Sequence, residues 1–253
     1  MPGGASYVRS TFQGRSEYIV TAEAGHGLLT VRHGALVPPW SDADVHVHFS
    51  SEEYYLVLLG ELRLLVLNTQ VTLRALEMLM VKPGCPHAVL GGEGPIEHLG
   101  LRAPAPDDRT TISPIPAAPP ALTGEEQREL RGVWGWRTTL RDPQNRNCWL
   151  IGLGTARLSS PNLSLAYLDF PTVAAANAGL GTRHRLHLHK QSWEYYTVLS
   201  GAKTLRIEDE MVTCQAGEIL VVPPGVKHTL QGRQAPYRGL TFRVPVLDGK
   251  VEF

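Results

Sequence analysis

An internal repeat constrains this chain more than any other feature of its sequence. The segment HVHFSSEEYYLVLLG, which begins at His46, returns 141 residues later as HLHKQSWEYYTVLSG, which begins at His187. The same offset relates residues 46–104 to residues 187–245 without an insertion or a deletion, and about two in five aligned positions are identical. Similarity at a fixed offset is the signature of a duplicated structural unit. The sequence therefore predicts two domains of one kind.

Both copies carry the signals of β-strands. Short runs such as LRLLVL, MLMV, TLRI and ILVV are rich in branched or large apolar residues, and turn sequences such as Asn-Thr and Pro-Pro-Gly separate them. Short strands with frequent turns are typical of a sandwich or a barrel. We therefore expect an all-β protein with little helix.

A proline-rich segment separates the two copies. Residues 103–122 read APAPDDRTTISPIPAAPPAL, and proline neither donates to a sheet ladder nor continues a helix. This segment is predicted to be a linker, and TGEEQREL, from Thr123, offers an N-cap that predicts a short helix. The expected division is an N-terminal barrel over 1–105, a linker with a short helix over 106–130, and a C-terminal barrel over 131–253.

Each copy holds three histidines and one glutamate at matching positions. Residues i and i+2 of a strand face the same side, so His46 and His48 form one chelating pair, and the repeat predicts a second. The eight predicted metal ligands are His46, His48, Glu53, His87, His187, His189, Glu194 and His228. Imidazole nitrogen with one carboxylate oxygen suits Mn, Fe, Co, Ni, Cu or Zn, and four protein ligands leave positions open for substrate. We expect two divalent transition-metal ions per chain, whose identity the ligands do not select.

The ligand pattern resembles the two sequence motifs of the cupin superfamily. The first motif, G(x)5HxH(x)3-4E(x)6G, has its core from His46 to Gly60 and again from His187 to Gly201. The second, G(x)5PxG(x)2H(x)3N, is met from Gly217 to His228, whereas Leu76 stands in place of its first glycine in the N-terminal copy. The resemblance implies two tandem cupin domains, each a double-stranded β-helix or jelly-roll barrel with one metal at its mouth.

Three further residues are predicted to bind substrate. Tyr55 and Tyr196 each follow the glutamate by two positions and share its face of a regular strand, although packing of the barrel is an alternative role. Arg185 precedes its histidine by two positions where the first copy has Asp44. If the side chains of Asp44 and Arg185 both point inward, the second pocket carries a positive charge that suits a carboxylate or phosphate. The alternative is that both residues are solvated at the entrance of a strand.

The resemblance implies a metal-dependent enzyme that acts on a small organic molecule. A dioxygenase-type oxidoreductase is the first expectation, because many two-domain cupins with this ligand set catalyse such reactions. Mn-dependent decarboxylation, sugar isomerisation or epimerisation, and chemistry like that of ureidoglycine aminohydrolase are alternatives. A cupin that binds a sugar or metabolite without turning it over is the alternative from a different class.

Charge and composition argue against several other classes of protein. Lys plus Arg equals Asp plus Glu at 24 each, so we expect no nucleic-acid partner. No segment reaches the apolar length of a bilayer span or resembles a signal peptide, and three cysteines form no even disulfide framework. We therefore expect a cytoplasmic protein with no membrane partner. Cupins often dimerise through edge strands, which makes a homodimer plausible while the number of subunits stays open.

Overall fold

A computed structural model of the chain describes most of its residues. The described residues are 8–11, 17–20, 30–36, 41–42, 44–67, 69–104, 108–115, 135–139, 147–152, 158–178, 180–181, 184–247 and 249–253. The predicted helix that begins at Thr123 lies outside them. Contacts within the chain divide the protein into two compact units. The first unit is Gly14–Arg141, and the second is Met1–Gln13 together with Asp142–Phe253.

The first unit is built from two antiparallel sheets. Its strands are β2 (Glu17–Val20), β3 (Thr30–Leu36), β4 (Asp44–His48), β5 (Glu52–Leu59), β6 (Glu61–Val66), β7 (Thr69–Arg74), β8 (Glu77–Val81), β9 (His87–Gly91), β10 (Ile96–Ala103), β11 (Arg109–Pro114) and β12 (Gly135–Thr139). One sheet has the order β12-β8-β5-β10-β3-β2 and the other β11-β4-β9-β6-β7. The alternation of strand residues sends apolar side chains from both sheets into one core.

The second unit is a single ten-stranded sheet. Its strands are β1 (Val8–Thr11), β13 (Asn147–Gly152), β14 (Leu158–Ser159), β15 (Ser164–Phe170), β16 (His187–His189), β17 (Trp193–Ile207), β18 (Glu210–Gln215), β19 (Glu218–Val222), β20 (His228–Val244) and β21 (Lys250–Glu252). The main strand order is β1-β19-β17-β20-β15-β13-β14. Of the other three strands, β16 pairs with β20 and β21, and β18 pairs with β17. Within the described residues the one helix is α1 (Val173–Ala176), which the Thr172 side chain caps.

The two cores use equivalent positions of the repeat. Nine residues of the first core recur 141 positions later in the second: Tyr55, Val57, Leu64, Val66, Val71, Leu73, Leu79, Val81 and Ile96 correspond to Tyr196, Val198, Leu205, Ile207, Val212, Cys214, Leu220, Val222 and Tyr237. Burial of these side chains is the main force that holds each unit together. The prediction of an all-β fold from a duplicated unit is therefore confirmed.

The proline-rich segment is not wholly a linker. Arg109–Pro114 forms β11 and pairs with β4 of the first unit. Thr110, Thr111 and Ile112 are β-branched residues without an intervening proline, so this stretch keeps the donors and the strand preference that a ladder needs. Proline enters only at the end of the strand, and β11 lies at the edge of its sheet, where proline is tolerated.

The outer strands differ from the predicted domain ranges at two places. Strand β1, within the predicted range 1–105, pairs with β19 of the second unit, and β12, within the predicted range 131–253, pairs with β8 of the first. The repeat spans only residues 46–104 and 187–245, so it carried no information about these flanking strands. No helix among the described residues is long and apolar enough to span a membrane.

Two turn glycines of the second copy differ in how much space surrounds them. Gly201 has φ +75°, and a Cβ there would lie 2.2 Å from the carbonyl oxygen of Gln234. Gly225 has a similar φ of +82°, but a Cβ there would meet nothing within 4 Å. Leu76, which replaces the motif glycine, keeps the left-handed backbone with φ 64°. A side chain is thus tolerated at such a φ where space allows.

We predict that Gly201→Ala destabilises the protein by about 2–4 kcal/mol, because backbone must move in addition to the strain of the positive φ. Gly225→Ala serves as the control and should cost about 1 kcal/mol, since only the backbone strain applies. Urea unfolding of both variants measures the difference. Equal losses would show that close approach of the chain at Gly201 does not limit the fold.

Candidate metal centres

The predicted ligands of the first unit come from three strands. His46 and His48 lie on β4, Glu53 lies on β5, and His87 is the first residue of β9. Pairing of β4 with β9 places His46 directly opposite His87. The third histidine therefore reaches the other two because the two strands are neighbours in the sheet.

Three imidazoles converge on one oxygen of the carboxylate in this unit. The Nε2 atoms of His87, His48 and His46 lie 2.7, 3.0 and 3.6 Å from Oε2 of Glu53. The four donor atoms lie within 4.8 Å of one another. Metal–nitrogen and metal–oxygen bonds of about 2.0–2.2 Å would join donors at such spacing to a single ion.

The second unit repeats this geometry. The Nε2 atoms of His228, His189 and His187 lie 2.9, 3.1 and 3.9 Å from Oε2 of Glu194. His187 pairs with His228 across β16 and β20, and their ring centroids are 4.4 Å apart, the same distance as for His46 and His87. All eight predicted ligands are thus assembled in two groups of four.

The two carboxylates and His187 are held in the protonation states that bind a metal. Burial alone would raise the pKa of Glu53, but the three imidazoles around its carboxylate hold that pKa well below its ordinary value. Burial alone would also raise the pKa of Glu194, but His189 and His228 beside its carboxylate hold that pKa well below its ordinary value. Burial and the charge of His228 lower the pKa of His187 to about 4. Burial alone would lower the pKa of His87, but its contact with Glu53 raises that pKa in the metal-free protein. An anionic carboxylate and a neutral imidazole are the forms that bind metals at neutral pH.

Backbone carbonyls orient three of the imidazoles. The Nδ1 atoms of His87, His187 and His228 lie 2.9, 2.8 and 3.0 Å from the carbonyl oxygens of Cys85, Arg185 and Val226. A carbonyl oxygen only accepts, so Nδ1–H is the donor. In a neutral imidazole this leaves the lone pair of Nε2 free for a metal. Nε2 of His48 is buried without a hydrogen-bond partner in the described structure, as a metal-binding atom would be. The donor set fits a transition-metal ion.

Asp108 orients the imidazole of His48 in the first unit. Its Oδ1 lies 2.9 Å from Nδ1 of His48, and its Oδ2 accepts hydrogen bonds from the backbone N–H groups of Ser50 and Ser51 at 2.6 and 2.9 Å. Burial alone would raise the pKa of Asp108, but these hydrogen bonds lower it. A carboxylate behind a histidine ligand fixes the ring and raises its basicity.

Among the described residues, the second unit has no carboxylate in this position. The position equivalent to Asp108 is Gly249, and Nδ1 of His189 is buried without a hydrogen-bond partner among the described residues. Strand pairing shows that the repeat continues here, because Arg109 is opposite His48 and Lys250 is opposite His189. Sequence reasoning ended the repeat at residues 104 and 245 and so missed these residues. Extending the same offset by five residues would have found them.

A small cavity opens on the ligands of the first unit. Its volume is about 90 Å³, and Arg32, Arg102 and Arg109 line it together with the metal-binding side chains. Arg102 Nε lies 4.0 Å from Oε1 of Glu53, and Arg109 Nη2 lies 3.3 Å from Nδ1 of His46. Three guanidinium groups face the carboxylates of Asp42 and Glu53 in this cavity, so its wall has one more guanidinium than carboxylates.

A larger cavity opens on the ligands of the second unit. Its volume is about 270 Å³. Its cationic lining residues are Lys203, Arg233, Arg243 and Lys250, and its apolar ones are Ala166, Leu168, Leu205 and Leu230. An apolar wall with a few polar groups is typical of a site for a small organic molecule.

The two predicted tyrosines line these cavities. Tyr55 lies in the first and Tyr196 in the second. Burial, with the charge of Glu53 or Glu194 nearby, raises the pKa of each phenol well above its ordinary value. Each hydroxyl therefore stays protonated at neutral pH and can donate a hydrogen bond. A role in substrate binding stays a prediction for both.

The structure corrects the placement of Arg185. Its side chain is exposed and is not in the wall of the cavity that holds His187 and Glu194. Strand β16 begins only at His187, so strand alternation cannot be extended back to Arg185. The positive charges that do line this cavity come from other strands and were not found from the sequence.

Comparisons with known proteins agree with this architecture. A family model described as "Cupin domain" matches residues 179–236. The fold is also similar to solved structures of Bacillus subtilis oxalate decarboxylase, with TM-score 0.66 and 14% identity, covering 99% of this chain and 80% of that one. The chain has the fold of a two-domain cupin.

Other solved structures share this cupin fold. Lactobacillus farciminis oxalate decarboxylase has TM-score 0.62 at 12% identity, over 99% of this chain and 90% of that one. Salicylate 1,2-dioxygenase from Pseudaminobacter salicylatoxidans has TM-score 0.60 at 13% identity, over 91% of this chain and 76% of that one. No curated protein matches the chain by sequence. At identities this low the similarity shows the fold of the chain, and its reaction has to be argued from the site.

We predict that His46→Ala and His187→Ala each remove about one equivalent of bound metal, because each loses one of four donors. The fold should survive, since a packed barrel does not depend on its metal as a zinc finger does. Mass-spectrometric metal analysis and circular dichroism measure both quantities. His184→Ala, a histidine outside both donor groups, is the control and should keep the full metal content. Unchanged metal content in both ligand variants would contradict the assignment.

We further predict that Asp108→Asn weakens metal binding by about 10–100-fold in the first unit alone, because the carboxylate behind His48 is lost. Competition with a chelator, followed by calorimetry with Zn²⁺, separates the two sites. The second site of the same chain is the internal control, since Gly249 already stands at the equivalent position. A loss at both sites, or at neither, would contradict the role given to Asp108.

Proposed function

We propose that this cupin is a metal-dependent enzyme that acts on a small organic molecule. The observation that carries the proposal is the convergence of three imidazoles and one carboxylate beside a cavity in each unit. Four protein donors leave positions of an octahedral ion open to substrate, and the cavities provide access to them. A site built only to stabilise the fold would be closed.

The proposed cofactors are two divalent transition-metal ions per chain, chosen from Fe, Mn, Ni, Cu and Zn. When bound, such an ion would polarise a coordinated substrate group or support redox chemistry. The first ion would be held by His46, His48, Glu53 and His87, and the second by His187, His189, Glu194 and His228. Within each cavity, Tyr55 or Tyr196 would donate a hydrogen bond to the substrate, because its hydroxyl keeps its proton at neutral pH.

A dioxygenase-type oxidation is the first reaction that we propose. The support is the similarity in fold to salicylate 1,2-dioxygenase and the open, apolar-walled cavity of the second unit. The chain itself would bind the organic substrate against this wall and exclude bulk water from the reacting groups. A cytoplasmic location and a homodimer accompany this proposal as predictions.

Decarboxylation of a small organic acid is the second candidate. The observation that favours it is the set of Arg32, Arg102 and Arg109 around the first cavity, which would suit a compact anion. Proteins with the same fold include oxalate decarboxylase, for which Mn(II) centres are described. A cavity of about 90 Å³ restricts such a substrate to a few heavy atoms.

The decisive measurement is metal analysis of untagged protein purified without chelator, followed by substrate screens on the protein as isolated. We expect about two equivalents per chain. Fe, Ni or Cu with substrate-dependent oxygen consumption would support oxidation, whereas Mn with release of carbon dioxide from oxalate would support decarboxylation. His46→Ala and His187→Ala then assign turnover to one site. Metal binding without turnover of any tested substrate would favour a binding protein.

A further inference from the structure

A buried amine in the second unit stands where the first unit has a core leucine. Lys203 is 3% exposed, lies on β17 and lines the cavity of the metal centre. Its equivalent in the repeat is Leu62, which is fully buried in the core of the first unit. An amine at this depth gives up apolar packing and loses hydration, so its presence calls for a compensating interaction.

The described neighbours of Lys203 do not include a carboxylate partner. Its Nζ lies 3.6 Å from the ring centroid of Tyr196 and 3.5 Å from Oγ1 of Thr241. Burial, and then the charge of Arg233, lower the pKa of Lys203 well below its ordinary value. A carboxylate bound beside the amine would oppose this shift, because an opposite charge favours the ammonium form. Within the described structure, a ring face and a hydroxyl are thus its closest favourable contacts.

Arg233 is a second buried cation in the same cavity wall. It is 8% exposed, and its Nη1 donates to the carbonyl oxygen of Ala176 at 2.6 Å. Its Nε is buried and has no hydrogen-bond partner among the described residues. The guanidinium lies over the rings of Phe170 and Tyr237, 5.2 and 5.6 Å from their centroids. The Nε–H donor is thus unused.

The charges around this cavity do not balance. Arg243 and Lys250 add to the two buried cations, and Glu194 is the carboxylate in the wall. That carboxylate already lies 3.1 and 2.9 Å from Nε2 of His189 and His228. A bound divalent ion would increase the positive charge further. An anion from solution would relieve this excess more effectively than any residue of the wall.

The first unit does not provide such a pair of cations. Leu62 stands at the position of Lys203, and Gly92 at the position of Arg233. Its cavity is also smaller, about 90 Å³ against about 270 Å³. The repeat therefore keeps the metal ligands in both units and places the buried cations in one.

We propose that the cavity of the second unit binds the carboxylate of a small organic acid between Lys203 and Arg233. The body of the acid lies against Leu168, Leu205 and Leu230 and reaches toward the metal ligands. A cavity of about 150 Å³ can hold benzene, so the space suffices for a ring that carries a carboxylate. This inference rests on the proposed function, in which that cavity receives the substrate, and it names the class of substrate.

The test is calorimetric titration of Zn²⁺-loaded protein with benzoate and with its neutral analogue benzamide. We expect benzoate to bind and benzamide to bind at least tenfold more weakly, because only the carboxylate pairs with the two cations. Lys203→Leu, which copies the equivalent residue Leu62, should weaken benzoate binding at least tenfold. Lys203→Met, which keeps the length of the chain, should do the same if the leucine variant folds poorly.

Arg206→Leu is the matched control, because Arg206 lies on the same strand and is half-exposed outside the cavity wall. It should bind benzoate as the parent protein does. Equal binding of benzoate and benzamide, unchanged binding in the Lys203 variants, or no benzoate binding by the parent would each overturn the inference.

Metal content and turnover are measured separately on the same samples. Binding that depends on Lys203 without turnover of any substrate would support this inference and contradict the proposed enzyme activity. Turnover of a neutral substrate that survives Lys203→Met would overturn the inference and leave the enzyme activity intact.

Discussion

The interaction on which both units depend is the contact of three imidazole nitrogens with one carboxylate oxygen. In the first unit it requires that β4 and β9 pair in the register that sets His46 opposite His87. It also requires that β5 carries Glu53 beneath them. A shift of one residue in either strand would turn these side chains to the opposite face and send apolar residues into the polar cluster. The metal centre and the hydrophobic core therefore fix the same register.

Duplication preserved this cluster and altered what surrounds it. The donor distances in the two units agree closely, and nine core positions correspond. The supporting residues do not correspond, since Asp108 is replaced by Gly249 and Leu62 by Lys203. Metal binding requires only the four donors, so neighbouring positions were free to diverge. The two sites are therefore chemically distinct despite equal ligands.

The same donor set on the same fold is compatible with several reactions, because a metal ion with open positions does not select a substrate. The side chains that line each cavity therefore select the substrate. Three arginines around a small volume favour a compact anion in the first unit, and buried cations beside apolar side chains favour an organic acid in the second. Both walls contain more basic side chains than carboxylates, which disfavours a strongly cationic substrate.

The sequence alone predicted the duplicated all-β architecture and the eight residues that the structure assembles into two donor groups. Strand alternation and a fixed repeat are local or periodic signals that require no knowledge of the packing. The sequence could not show that β11 joins the first unit or that Arg185 is exposed, because both facts depend on where a strand begins. Tertiary structure alone brought Asp108, Lys203 and Arg233 to the metal centres. These residues come from positions distant in sequence or from the interior of long strands, and only the pairing of strands decides which side chains share a cavity.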